Sequence, residues 1–105
     1  MLDELAKRVS SHVVEVGTAL ADAGAVILVS FGPRAIVARV REAAAFDVML
    51  SGGVAVIETR CTCVLHELGL VVCRHVWAVL VTADRRDVLA SLEIRAAPPV
   101  RRRRR

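Results

Sequence analysis

At 105 residues the chain fits one small domain, which buries barely more than ~60% of its unfolded surface. With 55% apolar residues but only two Phe and one Trp, the composition excludes a disordered chain and predicts a core of Val, Ala, Leu and Ile. The net charge of +4 is weak grounds for a nucleic-acid binder: five of the fifteen basic residues are the terminal run Arg101 to Arg105, and the other ten stand against eleven acidic ones.

From Leu2 to Ala23 the apolar residues Leu2, Leu5, Val9, Val13, Val16, Leu20 and Ala23 recur every three or four positions, which predicts one amphipathic helix. Its apolar face is expected to pack on the domain's own sheet, although the heptad-like spacing also suits a partner helix or a second copy of the chain. Gly17 and the three valines of that face weaken it as a free-standing coiled coil. Gly24 is expected to end the helix as a left-handed cap. A β-branched run, Ala25 to Phe31, then reads as a strand, Phe31-Gly32-Pro33-Arg34 as a turn, and Ala35 to Arg41 as a second strand with one wetter face. A third strand is predicted over Phe46 to Leu50, a tight turn at Ser51-Gly52-Gly53, and an antiparallel return over Val54 to Arg60. Cys73 to Ala83 has helical character, with Trp77 expected behind the cysteine cluster as a core anchor. Asp84 is the expected cap of a last helix from Arg85 to Leu92, and Ala96-Ala97-Pro98-Pro99 stops the structure before the arginine tail.

Three cysteines, an odd number, fit an intracellular metal site or free thiols better than a disulfide framework. The segment from Met1 to Lys7 has no uninterrupted hydrophobic stretch of the kind a signal peptide needs. The longest apolar runs are far short of the ~20 residues of a membrane span. A soluble protein of the reducing cytoplasm is expected.

The informative stretch is Arg60-Cys61-Thr62-Cys63, nine residues, then Cys73-Arg74-His75. Four good zinc donors thus come as two pairs of spacing two. In extended chain, residues i and i+2 point to one side, so Cys61 and Cys63 can face the same ion. In a helix interior that spacing separates side chains by about 200°, so Cys73 must still lie outside helical geometry while His75 occupies the first turn. Gly69 supplies a permissive joint in the connection. Three thiolates and an imidazole suit one Zn²⁺, and four protein ligands leave no open position, so the zinc is expected to be structural and the chain is not expected to be an enzyme. His66, three residues after Cys63, is a competing ligand for His75, and His12 is a packed or boundary residue of the first helix.

C-x-C, a short loop, then C-x-H leading into Val76-Trp77-Ala78-Val79-Leu80 resembles the SWIM zinc finger. That module occurs in bacterial helicase-like remodelling ATPases, Mutator-type plant transposases and some kinase-linked ubiquitin ligases. The resemblance covers Phe46 to Ala83, and the strands from Ala25 more loosely. Arg74 stands where the family usually has Lys, and Val64 where it often has Pro. The resemblance implies a compact ββα zinc fold that binds DNA or proteins and serves a larger partner, here an ATPase, transposase or recombination protein.

Together these readings give an α+β fold: an N-terminal helix (1–24), a small antiparallel sheet within a SWIM-like zinc-binding unit (25–84, zinc knuckle 61–75), a short C-terminal helix (85–97) and a Pro/Arg tail (98–105). The expected function is that of a zinc-binding interaction module for protein or DNA. DNA would be held mainly through phosphates by Arg60, Arg74 and the tail arginines Arg101, Arg102, Arg103, Arg104 and Arg105, with Arg39 and Arg41 as further contributors or simply a wet strand face. The alternative is a thiol-dependent redox sensor or oxidoreductase that uses Cys61 and Cys63 as an exchangeable pair.

Overall fold

The computed structural model describes residues 2–52, 57–64 and 72–89. The periodic apolar stretch at the start forms two helices rather than one, α1 over Leu2–Ala6 and α2 over Ser11–Asp22. The break comes from Ser10, whose φ of −59° and ψ of 143° leave helical geometry while its Oγ accepts the Val13 amide at 3.2 Å. A serine side chain that bonds nearby backbone competes with helix continuation and favours a fresh start. At the other end, Gly24 adopts φ 71° as expected. Its amide donates to the carbonyl of Ala21, and that of Ala25 to Leu20, which is the paired bonding of a Schellman cap.

Strands β1 (Val26–Phe31), β2 (Ala35–Glu42), β3 (Ala44–Gly52) and β4 (Ile57–Cys61) form one antiparallel meander in chain order. β3 runs longer at both ends than the sequence predicts. β3 starts at Ala44, because β2 reverses through the single residue Ala43 at φ 62°. It also runs on through Ser51 and Gly52, which pair with Glu58 and Ile57, so neither residue forms the predicted turn. The rest of that turn and the start of the predicted fourth strand, 53–56, lie outside the described residues.

Strand alternation puts Ile36, Ala38 and Val40 of β2 and Val48 and Leu50 of β3 on one buried face. Helix α3 (Arg74–Arg85) crosses that face and contacts all four strands. Helix α2 packs on α3 and not on the sheet as its amphipathic stripe suggested, so α3 is the middle layer. That explains why α3 is apolar nearly all round, with His75 through Val81 and Ala83 all buried. Trp77 is a core residue, donating from Nε1 to Thr18 Oγ1 at 3.1 Å across the α2–α3 contact.

Asp84 does not cap a last helix. It sits inside α3, which runs on to Arg85 and ends with Asp87 at φ 60°, the amides of Asp87 and Val88 returning to the carbonyls of Asp84 and Ala83. A short polar side chain tolerates this left-handed position. Leu89 is buried in the core, and residues 90–105, including the rest of the predicted C-terminal helix and the tail, lie outside the described part. Among the described residues no helix is long and apolar enough to cross a membrane.

Candidate metal centre

Cys61 is the last residue of β4, paired with Val48 on the inner face. Beyond it the chain stays extended, because Thr62 keeps the pairing with β3: its amide donates to the Asp47 carbonyl at 3.1 Å and its Oγ1 accepts the Asp47 amide at 3.0 Å. With Thr62 turned outward, Cys61 and Cys63 both turn inward and are buried. Cys73 stands at the N-cap of α3 with φ −86° and ψ 174°, still extended, and its carbonyl accepts the Trp77 amide that opens the helix. His75 is the second residue of α3 and is buried.

The four donor atoms of Cys61, Cys63, Cys73 and His75 lie within 4.8 Å of one another. A tetrahedral zinc with Zn–S near ~2.3 Å and Zn–N near ~2.0 Å has edges of about 3.5–3.8 Å. Cys61 Sγ and His75 Nδ1 are already 3.8 Å apart. The cluster needs only a small contraction to hold one ion, and three sulfurs with one imidazole nitrogen form a donor set compatible with zinc.

All three cysteines are free thiols. The Cys73 thiol is held below its ordinary value, first by the hydrogen bond from Cys61 and then by the Val76 amide, against the opposing effect of burial. It makes no side-chain hydrogen bond of capping geometry, so the amides act as a positive helix end rather than as a cap. Cys61 is pushed the other way by its bond to Cys73 and by burial, and keeps its proton. Cys61 and Cys73 therefore share a proton, which is released when metal binds.

The surroundings of His75 contain two residues that sequence reasoning missed. Phe46 stacks on the imidazole, centroids 4.2 Å apart and planes 19° from parallel. Glu42, at the end of β2, places Oε1 2.9 Å from His75 Nε2 and 2.7 Å from Arg74 Nε. Burial alone would raise the Glu42 carboxyl, but the hydrogen bonds from Arg74 and His75 and the charge of Arg74 outweigh it and hold it below its ordinary value. Glu42 is 33 residues from His75, and no local motif marks it. Phe46, Cys63, Val64, Cys73, Arg74 and His75 line a cleft of about 220 Å³ beside the cluster.

The remaining predicted residues fall elsewhere. Arg60 is exposed and opposes Met49 on the outer face of the sheet, whereas Arg74 is engaged with Glu42 on the helix side, so the two do not form one patch. Arg39 and Arg41 are exposed on the outer face with Arg60, and Arg39 pairs with Asp47 at 3.1 Å. His12 is exposed on α2, neither packed nor in the cluster. His66 and Arg101 to Arg105 lie outside the described residues.

No protein-family model, curated protein or solved structure matches the chain. The likeness to SWIM fingers therefore rests on the spacing and chemistry of the four donors themselves.

Proposed function

We propose that this chain is a SWIM-type interaction module organised by one structural zinc held by Cys61, Cys63, Cys73 and His75. The observation that carries the reading is the convergence of four buried donors within 4.8 Å, from a strand end and a helix start. Four protein ligands complete a tetrahedron, which supports a structural rather than a catalytic ion. Burial of all three thiols also weighs against a redox pair, since exchange chemistry needs an accessible sulfur. Native mass spectrometry is expected to find one zinc per chain, with the cysteines resisting alkylation until a chelator is added. A Cys61–Cys63 disulfide that forms and is reduced with no change in metal content would replace this reading with the redox one.

The partner is proposed to be a larger protein of the ATPase, transposase or recombination type, in keeping with the SWIM resemblance. DNA is a second mode, supported by Arg39, Arg41 and Arg60 on one exposed sheet face and by the arginine tail. Such binding would be to phosphates and steeply salt-dependent. Duplex DNA is expected to bind at low salt, and deletion of 101–105 to reduce the salt slope by up to about 4.5, at ~0.9 per phosphate contact. Absence of binding by the intact chain at low salt removes the DNA mode and leaves the protein partner.

A further inference from the structure

β2 ends at Glu42 and the chain reverses through Ala43, held at φ 62° in the left-handed region. For an alanine that conformation costs about 1–2 kcal/mol. Strain of this kind persists where surrounding structure over-determines it. Here the reversal leaves Glu42 over the first turn of α3, where one carboxylate oxygen meets both the guanidinium of Arg74 and the imidazole of His75.

His75 is 1% exposed, so each of its ring nitrogens must find a partner within the protein. Nδ1 faces the sulfur of Cys61, and Nε2 faces Glu42 Oε1. An ionised carboxylate only accepts hydrogen bonds, so the arrangement is satisfied by the tautomer with the proton on Nε2 and the lone pair on Nδ1. The opposite tautomer would set a lone pair against a carboxylate oxygen at 2.9 Å, too close for a water to separate them. Phe46 holds the ring plane by stacking on its face, and Glu42 fixes the remaining rotation within that plane. Arg74 in turn keeps the carboxylate oxygen in place at 2.7 Å.

We propose that Glu42 is the positioning residue of the metal centre: it holds His75 as the Nε2–H tautomer with the Nδ1 lone pair aimed at the ion, and Arg74 locks Glu42 in that role. The inference rests on the zinc reading above and extends it from the four ligands to the hydrogen bond that makes one of them competent. Outer partners of ligating histidines are worth 10–100-fold in metal affinity.

The test combines ¹⁵N-histidine NMR of the purified chain with zinc affinity by chelator competition, for wild type, Glu42→Ala and Glu42→Gln. Wild type is expected to show a slowly exchanging proton on His75 Nε2. Glu42→Ala should lose that slow exchange and bind zinc about 10–100-fold more weakly. In Glu42→Gln the amide oxygen, retained by Arg74, still accepts the proton, so the tautomer should survive with an affinity loss of about three- to tenfold. A wild-type His75 with its proton on Nδ1 overturns the proposal, as does a Glu42→Ala chain that keeps both the Nε2–H signal and an affinity within twofold of wild type. Should Glu42→Ala not fold, Glu42→Gln decides: the three- to tenfold loss supports the role, and unchanged affinity overturns it. If wild type takes up no zinc at all, the zinc reading fails on its own, and the His75 spectrum still decides whether Glu42 sets the tautomer.

Discussion

Replacing Cys73 with serine is expected to abolish tight zinc binding and to lower the thermal midpoint by about 12–24 °C, and chelation of the wild-type chain should do the same. Cys73 is fully buried, stands at the N-cap of α3 and is one of the four converging donors, so its loss removes a ligand and opens the site. Serine keeps the volume but offers a hard, protonated oxygen in place of a soft anion. Zinc contributes ~10–16 kcal/mol to the folding of zinc-finger peptides, against a total of about 5–15 kcal/mol for a typical domain. This chain also has an apolar core, Ile36, Val40, Val48, Leu50, Val76, Val79 and Leu80, that survives metal loss, so the full peptide value does not apply. A loss of about 3 kcal/mol, at roughly 4–8 °C per kcal/mol for a domain of this size, gives the shift stated. Loosening should begin where the metal is the main tie, with Thr59 to Cys63 and the first turn of α3 losing amide protection before the centre of β2 and β3. Thermal unfolding with hydrogen exchange, with and without chelator, checks both parts. A Cys73→Ser chain that keeps one zinc and the wild-type midpoint would remove Cys73 from the ligand set.

How far the sequence carries is best seen around this centre. The two donor pairs are legible because spacing two has opposite meanings in strand and helix, so Cys61 and Cys63 imply an extended arm and Cys73 and His75 a helix start. Strands rich in Val and Ile and the Gly24 cap are legible for equally local reasons. The break at Ser10 is not, since the spacing from Leu5 to Val9 to Val13 continues through it and outweighs one capping side chain. Glu42 and Phe46 reach His75 only because the meander places β2 and β3 beneath α3, a fact of tertiary structure without a local signature. For the same reason Gly17 reads as a weakness of a helix when it is in fact a point of contact.

Adding a side chain at that point should destabilise the domain even though it improves the helix. Gly17→Ala gains about 1 kcal/mol of helix propensity in the middle of α2. The new Cβ, however, would lie 2.8 Å from the Arg74 carbonyl oxygen, 2.7 Å from Trp77 Cδ1 and 2.9 Å from Trp77 Cβ. None of these atoms is the free end of a flexible chain, so α2 and α3 must move apart. Overpacking of this kind costs about 1–3 kcal/mol. Separation also stretches the Trp77 Nε1 to Thr18 Oγ1 bond, and a buried donor left unpaired costs about 1–3 kcal/mol more. The clash and the lost bond together outweigh the propensity gain, leaving Gly17→Ala destabilised by about 1–5 kcal/mol and Gly17→Val by more, because its two γ-carbons enter the same contact. Since Arg74 and Trp77 belong to the turn of α3 that carries His75 and follows Cys73, the displacement reaches the metal centre. Zinc affinity should therefore fall along with the thermal midpoint, although Gly17 is no ligand. Unfolding curves and chelator competition on the two variants measure both effects, and a Gly17→Ala chain with a raised midpoint would show that α2 and α3 are not held as closely as Trp77 implies.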